Sequence, residues 1–550
     1  MAILALLVTF GVLSQSQVSV TTYKYDSART GQNINEKILT PATVSGGTFQ
    51  KIFTVPLDGY VYAQPLYVSG LKGIAGGAPD HAFNVVFAAT EHDSLYAMDA
   101  DSSSASGSIL WHRTYLNAGE GPVDFQADLG GCADINKEIG ISSTPVIDPG
   151  TSTMYLVTKS KGASGVVQRL HAISLLDGSE KFGGPVAITG QTPDGSVQFD
   201  PLRQVNRSAL LLDNGRVVIA WASHCDQSPS HGWIMAYDAS TLRQSAVFNT
   251  TPKGNEGGVW MSGDGIAADA QHRLFFATGN GDFDGTTNFS DSIIRLDTQP
   301  NGQFQIGDSF TPFNQSDLNQ NDTDLGAGGL LLLPDLPAGN AHPHLLVQMG
   351  KNGTMYLIDR DNMGKFCNGC NQDNQAVQSI ARAAKGMWGT PAYWNGFVYW
   401  SSGRPADSLK AWTFNAGGTG QISTAPSSKS AKIYGFSTAA PVVSADGTTN
   451  GIVWLLDNSA FNTDPDTAAG PQVLFAYDAL DLSKLLYTSE QAPNGRDRPG
   501  GAIKFTTPIV ANGKVFAGGV NSLTAWGLVS PQVTPNVKAS VKPKFGGRDH

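Results

Sequence analysis

The triplet Glu91-His92-Asp93 places three ionisable side chains together between the apolar segments NVVFAAT and SLYAMDA. A histidine titrates near neutral pH, and a carboxylate beside it can orient the imidazole for general acid–base catalysis. Because successive strand residues face opposite sides, Glu91 and His92 are expected to point in different directions. Asp93, before Ser94, is suited to capping the turn through backbone N–H groups. We predict that His92 transfers a proton. The alternative is a turn between strands.

A second loop, SHCDQSPSH at 223–231, contains two imidazoles and a carboxylate. His224, His231 and Asp226 supply a group that titrates near neutral pH and a group that orients it. We therefore predict that this loop assists His92. On this hypothesis, replacing His92 by Ala lowers turnover by about 10²-fold or more, the usual scale for a lost general base.

A third segment, NGDFDG at 280–285, resembles a calcium-binding loop. Asn280, Asp282, Asp284 and Asp291 stand at positions 1, 3, 5 and 12 of the template, with Gly285 at position 6. The departures are Asn at position 1 and Asp at position 12, and strands rather than helices are expected to flank the loop. The hypothesis is one bound Ca²⁺. The alternative is a β-turn loop rich in Asn and Asp.

These loops belong to a unit that recurs eight times, 50 to 80 residues apart. Each copy has an apolar first strand that often contains Pro, a V-x-Y/F second strand, a variable loop and a third strand ending near Asp. Short β-rich repeats at this spacing, rich in β-branched and aromatic residues, predict a β-propeller rather than a helical array. The first strands are 62–68, 142–148, 207–213, 263–269, 328–334, 389–394, 439–445 and 506–511.

The eighth copy ends at Leu528 without a fourth strand, which the segment FQKIFTVPL at 49–57 can supply. Pairing of 49–57 with 506–528 would close the ring and remove the exposed sheet edges. The sequence therefore predicts an all-β, eight-bladed propeller of four-stranded blades over 49–528, preceded by an extension at 18–48. The polar tail, 529–550, is predicted to be disordered.

In a propeller, the loop between second and third strands and the loop entering each first strand open on one face, where ligands bind. Glu91, Arg203, Lys351, Trp388 and Arg404 are the predicted substrate-binding residues of this face, because mixed acidic, basic and aromatic side chains suit a sugar-like substrate. The alternative is that such side chains join adjacent blades through salt bridges and hydrogen bonds. Other residues expected on this face are His92, Glu138, Lys159, Lys161, Arg207, Glu256, Trp260, Asp324, Arg496 and Lys504.

The four cysteines are predicted to form two disulfides. Cys132 enters the second copy and Cys225 leaves the second strand of the third, so neighbouring blades bring them together. Cys367 and Cys370 are close in sequence. Reactive-thiol chemistry is the alternative. A zinc ribbon would need a second C-x-x-C pair, which is absent.

The N-terminal segment and the composition bear on location and partners. The apolar run from Ala2 to Leu13 is too short to span a bilayer and suits a secretory signal peptide at 1–17, although a basic start is missing. A buried first strand is the alternative.

The net charge of −10 offers no basic face for nucleic acid. We predict a secreted monomer that binds a small molecule or carbohydrate. The six N-x-[ST] sequons for a glycoprotein are close to the number expected by chance; they begin at Asn206, Asn249, Asn288, Asn314, Asn321 and Asn352.

Several phrases resemble the quinoprotein (PQQ) alcohol dehydrogenase-like propellers, and more closely a group of secreted PQQ-repeat propellers mostly without assigned activity. They include ARTGQN (28–33), VYAQPLYV (61–68), ATEHDSLYAMDA (89–100), WASHCDQSPSHGW (221–233) and GKNGTMYLIDRDNMG (350–364). The resemblance covers about residues 22–528. It implies the propeller fold and raises PQQ as a cofactor.

The sequence departs from that group at its cofactor contacts. Its quinone enzymes hold a disulfide of adjacent cysteines against the cofactor, and this sequence has no adjacent Cys pair. C-type haem attachment needs C-x-x-C-H, but Asn371 follows Cys370. No cofactor ligand of those enzymes can be matched to a numbered residue. Two classes of function remain open. One is an enzyme acting on a carbohydrate or alcohol, either a quinone-linked dehydrogenase or a cofactor-free lyase or hydrolase; the other is a non-catalytic binding or scaffold propeller.

Overall fold

The computed structural model describes residues 17–105, 108–401, 403–404, 406–437, 440–462 and 468–529. Apart from Gln17 and Val529, the predicted signal peptide and tail lie outside these residues. Within them, the strands form eight sheets, and the α-helices are the short segments Pro41–Ser45 and Gln315–Gln320. No helix in the described ranges has the length and hydrophobicity to cross a membrane.

Each of the eight sheets is one blade, in which consecutive strands pair antiparallel from first to fourth. Blade 1 consists of Leu66–Lys72, Ala82–Ala89, Ser94–Asp99 and Ile109–Thr114. Blade 2 consists of Val146–Asp148, Thr153–Gly162, Gly165–Ser174 and Val186–Ala187. Blade 3 consists of Leu211–Asp213, Arg216–Ser223, Trp233–Asp238 and Gln244–Asn249. Blade 4 consists of Ala267–Ala268, Leu274–Ala277, Ile293–Thr298 and Phe304–Thr311.

The second half of the ring repeats this plan. Blade 5 consists of Leu331–Leu332, Leu345–Met349, Met355–Asp359 and Gln378–Ile380. Blade 6 consists of Ala392–Trp394, Phe397–Ser401, Asp407–Thr413 and Ser428–Tyr434. Blade 7 consists of Val442–Asp446, Thr449–Asp457, Val473–Asp478 and Asp481–Thr488. Blade 8 consists of Ile509–Ala511, Lys514–Gly519, Ser522–Leu528 and, as its fourth strand, Phe49–Pro56.

Short additional strands join four of these structures. Gln32–Asn33 pairs parallel with the first strand of blade 7, and Lys365–Phe366 pairs parallel with the fourth strand of blade 4. Gln204–Val205 pairs with the second strand of blade 3. A hairpin formed by Gly121–Asp124 and Glu138–Ile139 pairs with the second strand of blade 2. It places the segment between blades 1 and 2 on the face that carries the loops between second and third strands.

The predicted closure of the ring is confirmed. The strand Phe49–Pro56 pairs antiparallel with Ser522–Leu528, from Phe49 opposite Leu528 to Pro56 opposite Ser522, with one register shift between Lys51 and Phe53. The first blade and the last are therefore joined through hydrogen bonds between segments more than 400 residues apart in the sequence, and the outer strand of blade 8 comes from the N-terminal side of the chain.

The core lies between the blades. The second strands are buried along most of their length because both faces of each sheet are covered by neighbouring blades. Polar groups of large side chains find partners across these interfaces, as buried Tyr and Trp require. The Tyr155 hydroxyl of blade 2 donates to the carbonyl of Ala239 after the third strand of blade 3 at 2.7 Å. Tyr399 of blade 6 makes the equivalent bond to Ala479 of blade 7 at 2.8 Å. These bonds fix the spacing of adjacent blades.

Residues 18–33, which we call the axial strap, run across the first strands of the blades. The strap includes the ARTGQN motif, in which Arg29 and Gly31 have positive φ angles of 62° and 69° and turn the chain. Backbone hydrogen bonds connect the strap to blades 1, 2, 4, 5, 6 and 7, and side chains of Arg29, Tyr25 and Asn33 reach blades 3 and 8. The backbone pairs are Val20 with Tyr67, Thr21 with Ile147, Ser27 with Ala268, Ala28 with Leu332, Thr30 with Tyr393, and Gly31 with Val443.

Arg29 is the most heavily bonded side chain of the axial strap, and it is fully buried. Its Nε and Nη2 atoms donate to the carbonyl of Ile266 in blade 4 at 3.1 and 2.9 Å, and Nη2 also donates to Leu210 in blade 3 at 3.4 Å. Its Nη1 donates within the strap to Thr22 Oγ1 and to the Tyr23 carbonyl. One guanidinium therefore joins the strap to two blades.

We expect Arg29→Met to lower the free energy of unfolding by about 3 kcal/mol or more, because buried carbonyl acceptors lose their charged donor. The measurement is chemical denaturation followed by tryptophan fluorescence. The matched control is Arg243→Met at an exposed position of blade 3. An Arg29→Met curve that coincides with that of the control would show that the axial strap does not stabilise the ring.

Candidate functional site

A pocket of about 150 Å³ opens on the face that carries the loops between second and third strands. We call it the mouth pocket. Its walls come from loops of blades 3, 4 and 5, from the segment before blade 6, and from the segment between blades 1 and 2. The lining residues are Asp134, Ala222, Ser223, Cys225, Asp226, Gly258, Trp260, Gly279, Asn280, Asp324, Gly326, Ala327, Lys351 and Trp388.

Lys351 is the central cation of the mouth pocket. Its Nζ atom lies 2.7 Å from Asp322 Oδ1 and also contacts Asp324 Oδ2. It stands 5.8 Å from the centre of the Trp388 ring, a cation–π arrangement. Burial lowers the pKa of Lys351, but the carboxylates of Asp324 and Asp322 outweigh burial and raise it above its ordinary value. Two of the predicted substrate-binding residues, Lys351 and Trp388, thus meet in this pocket.

Asp324 is held in place by a close approach to the backbone of blade 4. The backbone N–H of Asn280 donates to Asp324 Oδ1 at 2.6 Å. A Cβ atom on Gly279 would lie 2.8 Å from the same oxygen, so a residue with a side chain at 279 would obstruct this carboxylate. Asp324 is therefore fixed between a backbone donor and the Lys351 ammonium.

Asn280, the first residue of the predicted calcium loop, also lines the mouth pocket. Its Nδ2 atom donates to Asp322 Oδ1 at 2.9 Å. Its Oδ1 atom is buried and has no hydrogen-bond partner. A buried acceptor without a hydrogen-bond partner destabilises the folded state. A ligand that places a donor or a hard cation here would therefore be bound without breaking an existing hydrogen bond.

Asp226 is the mouth carboxylate that titrates near neutral pH. Its reduced solvation at the mouth, followed by the nearby carboxylates of Asp324 and Glu256, raises its pKa to about 7. Lys351 acts in the opposite direction with a smaller effect. A carboxylate with this pKa can both accept and release a proton near neutral pH. The sequence-based prediction placed Asp226 at the mouth, and the structure locates it on the pocket wall.

The other members of the predicted calcium set do not meet at one point. Asp282 Oδ2 accepts the Asn255 N–H, the Asp284 carboxylate accepts backbone N–H groups of 286–288, and buried Asp291 accepts the Leu325 N–H. In the described part of the chain, these carboxylates do not form a group with mutually close ligand atoms. Asn280 faces the mouth while Asp284 closes its own turn, as in the β-turn alternative, and calcium binding by this loop stays a prediction.

His224 lies beside the pocket in a row of three ionisable groups, of which His224 and Lys159 are buried and Asp134 is partly exposed. Its Nδ1 atom is 2.9 Å from Asp134 Oδ2, and its Nε2 atom is 2.8 Å from Lys159 Nζ. Burial lowers the pKa of His224, and burial also lowers the pKa of Lys159 to about 7. Burial raises the pKa of Asp134, but His224 reverses this effect and the pKa is below its ordinary value. Asp134 lines the mouth pocket, so His224 reaches the pocket only through Asp134.

His92 and Glu91 point in different directions, as strand alternation predicts. His92 Nδ1 lies 3.1 Å from Glu138 Oε2, with the imidazole 41% exposed, and His92 does not line the mouth pocket. Glu91 is buried and accepts hydrogen bonds from Gly140 N and Ser142 Oγ, both at 2.8 Å, and burial raises its pKa to about 8. Glu91 therefore joins blade 1 to blade 2.

The prediction that Asp93 caps its own turn is wrong. Asp93 Oδ1 instead accepts the Lys159 N–H of blade 2 at 3.3 Å. The turn is capped by Asp58, whose carboxylate accepts the hydroxyls of Thr90 at 2.9 Å and Ser94 at 2.6 Å. The cap comes from a residue that precedes blade 1, which the local pattern at 91–94 does not contain.

The remaining predicted residues lie outside the mouth pocket. His231 and Arg203 line a separate groove of about 530 Å³. There His231 Nδ1 lies 3.1 Å from the Thr251 carbonyl, and Arg203 pairs with Asp200 at 3.3 Å. Arg404 stands over the Phe436 ring, which packs edge-on against Trp388. It therefore contacts the pocket only through these aromatic rings.

Both predicted disulfides, Cys132–Cys225 and Cys367–Cys370, are present. The first fixes the loop after the second strand of blade 3 against the segment between blades 1 and 2, and so shapes one wall of the mouth pocket. It also brings in Asp134, the ionisable residue of the pocket lining that the sequence analysis did not propose. The sequence contained one pointer to it, since Asp134 lies two residues after a cysteine predicted to reach the mouth.

Comparisons with known proteins identify the fold. No family model matches the chain, and no curated protein matches it in sequence. The chain is similar in structure to the quinohemoprotein alcohol dehydrogenase from Comamonas testosteroni, with a TM-score of 0.58 and 14% identity over 93% of this chain and 80% of that one. For the quinohemoprotein alcohol dehydrogenase ADHIIG from Pseudomonas putida HK5, the values are 0.57 and 14% over 96% and 82%.

A europium-containing methanol dehydrogenase is similar at a TM-score of 0.58 and 13% identity, over 93% of this chain and 98% of that one. These likenesses confirm the eight-bladed propeller of the quinoprotein alcohol dehydrogenases that the sequence resemblance implied.

Asp226 gives a pH-dependent stability prediction. Its folded pKa is raised above the unfolded value, so its contribution to stability is present below the unfolded pKa and is lost as pH rises through about 7. We expect Asp226→Asn, which cannot ionise, to gain in melting temperature relative to the parent protein between pH 5 and pH 8. The measurement is thermal unfolding at several pH values, with Glu490→Gln at an exposed position as control. A difference that is independent of pH would contradict the raised pKa.

Proposed function

We propose that the mouth pocket is the active site of a quinone-linked oxidoreductase that oxidises a small hydroxyl compound, an alcohol or a sugar. The observation that carries the proposal is the joint presence of two indoles, one cation, an unpartnered amide oxygen and a carboxylate with a pKa of about 7 in one pocket. These groups belong to Trp260, Trp388, Lys351, Asn280 and Asp226. The fold that the chain shares with a quinohemoprotein alcohol dehydrogenase and a methanol dehydrogenase supports the reaction class.

The chemical groups that line the pocket match those of a quinone such as PQQ, which is planar and carries several carboxylates. The indoles of Trp260 and Trp388 offer flat apolar surfaces, and Lys351 offers a cation for a carboxylate. The unpartnered Asn280 Oδ1 and the Asp324 carboxylate are hard oxygen donors that suit a calcium or lanthanide ion. When bound, the quinone would supply the two-electron acceptor. The Cys132–Cys225 disulfide also borders the pocket, because Cys225 lines it. Its two cysteines are distant in sequence, unlike the adjacent pair of the quinone enzymes.

The protein's own side chains would position the reactants, transfer the proton and bind the substrate. Asp324 is held by the Asn280 N–H and Lys351, so it would form a fixed negative charge that positions a cation or a substrate hydroxyl. Asp226 would take the hydroxyl proton, because its pKa near 7 matches the working range of a general base. The aromatic walls would bind the apolar face of an alcohol or sugar and exclude water from the reacting groups.

We also propose that the protein acts outside the cytosol. Its four cysteines are all paired, which suits an oxidising compartment. Peptide mapping under non-reducing conditions of protein collected from the native host's culture medium tests this proposal. Recovery of the protein only from the cytosolic fraction, with free thiols, would overturn it.

The test of the enzymatic proposal is reconstitution of the purified protein with PQQ together with Ca²⁺ or Eu³⁺. We expect about one PQQ per chain to remain after desalting, quenched tryptophan fluorescence, and dye-linked oxidation of members of a panel of alcohols and sugars. Lys351→Met should weaken retention of PQQ. Asp226→Asn should retain PQQ and lower turnover by about 10²- to 10⁴-fold, the range for a lost general base. Lys484→Gln, at an exposed position of blade 7, is the control.

The outcomes separate the alternatives. Retained PQQ with equal turnover in Asp226→Asn and a large loss in His92→Ala would return proton transfer to His92. Binding of a sugar without turnover, and without PQQ, would favour the non-catalytic propeller. Failure to retain PQQ with either ion would overturn the proposed function.

A further inference from the structure

Four potential metal ligands meet at the edge of the mouth pocket. Cys132, Asp134 and His224 each offer one ligand atom, and these atoms lie within 4.8 Å of one another. In the described residues, no other group of three His, Cys, Asp or Glu side chains meets this condition. Cys225 adds a fourth candidate, because its sulfur is bonded to that of Cys132.

These four side chains form the donor set that zinc prefers. Zn²⁺ is bound in proteins by thiolate, imidazole and carboxylate groups in tetrahedral geometry. While the disulfide is intact, neither sulfur is a thiolate, so the set is incomplete. A low-molecular-weight dithiol would complete it. The S–S bond of Cys132–Cys225 takes up two electrons and two protons to give two thiols, and the dithiol is oxidised to its disulfide.

We propose that reduction of the Cys132–Cys225 disulfide creates a zinc-type site. Its ligands are the two sulfurs as thiolates, one Asp134 carboxylate oxygen and His224 Nδ1, and the two thiol protons are released to solvent when the metal binds. Cys225 is exposed at the mouth pocket, so a small dithiol can reach the bond. The proposal does not depend on the proposed function.

Lys159 holds the His224 imidazole in its orientation. Its Nζ atom contacts three groups: the carbonyls of Leu202 at 2.7 Å and Gln204 at 3.1 Å, and His224 Nε2 at 2.8 Å. The contact at Nε2 leaves the other ring nitrogen, Nδ1, on the side of Asp134, 2.9 Å from Asp134 Oδ2. A partner on the second ring nitrogen is what orients an imidazole ligand toward a metal.

The surrounding charges suit the metal-bound state. Zn²⁺ with two thiolates and one carboxylate has a net charge of −1. Lys504 balances it, because its Nζ atom donates to the carbonyl of Ala133, next to Asp134, at 2.6 Å. Since Asp134 and Cys225 also line the mouth pocket, a metal held here would change the wall of that pocket. The site would link the thiol state of the protein to ligand access.

The test uses Co²⁺ and Zn²⁺ with protein reduced by a phosphine and desalted without oxygen. The full chain carries Cys367→Ser and Cys370→Ser, which remove the other pair. We expect one Co²⁺ per chain, a thiolate-to-cobalt absorption band, and displacement of Co²⁺ by Zn²⁺. The oxidised protein and the variant that also carries Cys132→Ser and Cys225→Ser should show no band. Lys159→Met should weaken binding by about 10- to 100-fold, as expected for loss of a group that orients a ligand.

Two results would overturn the proposal. One is the absence of the cobalt band in reduced protein that circular dichroism shows to be folded. The other is a band of full strength in both His224→Gln and Asp134→Asn, which would place the ion elsewhere. If reduction alone unfolds the protein, Zn²⁺ should restore the melting transition through binding to the folded state. Failure to restore it would also count against the site.

Discussion

The hydrogen bonds between the axial strap and the first strands tie the whole ring to one short piece of chain. A propeller sheet ends on the axis with an edge strand whose backbone groups need partners. The axial strap supplies carbonyls or donors to the first strands of six blades in turn, and the side chains of Arg29, Tyr25 and Asn33 reach the other two. The same N-terminal region then provides the outer strand of blade 8. Residues that precede blade 1 therefore supply hydrogen-bond partners to the first strands and also form the outermost strand of blade 8.

This arrangement sets the geometry of the mouth pocket. Its residues come from blades 3, 4 and 5, the segment before blade 6 and the segment between blades 1 and 2. The distances between the lining side chains therefore depend on how these blades are oriented relative to one another. Inter-blade contacts such as Glu91 with Gly140 and Ser142 hold that orientation. A pocket assembled in this way can keep several carboxylates close together, because the cost of their repulsion is met by a rigid frame and by Lys351.

The fold was predictable because its evidence is local and repeated. Each copy carries the same strand pattern, and the missing fourth strand of the last copy points directly to 49–57. The position of Asp226, Lys351 and Trp388 at the mouth followed from topology alone. The calcium template assumes flanking helices, whereas strands flank this loop, and Asn280 and Asp284 have different surroundings. Asp134 and the axial strap were not predicted, since neither belongs to the repeat and both act through contacts distant in sequence.

Perturbed ionisation alone does not identify the functional site in this protein. Burial raises the pKa of Glu91 to about 8 and of Asp264 to about 7, yet both lie inside the ring among structural contacts, Asp264 beside Arg29 and Lys24. Asp226 has a similar pKa, but it lies on the wall of an open pocket with an unpartnered acceptor and two indoles. The difference is access. Glu91 and Asp264 are fully buried, whereas Asp226 is exposed on the pocket wall, where it can exchange a proton with a ligand. Among these carboxylates, Asp226 is therefore the one that a ligand in the mouth pocket can reach, whereas Glu91 and Asp264 contribute to contacts inside the ring.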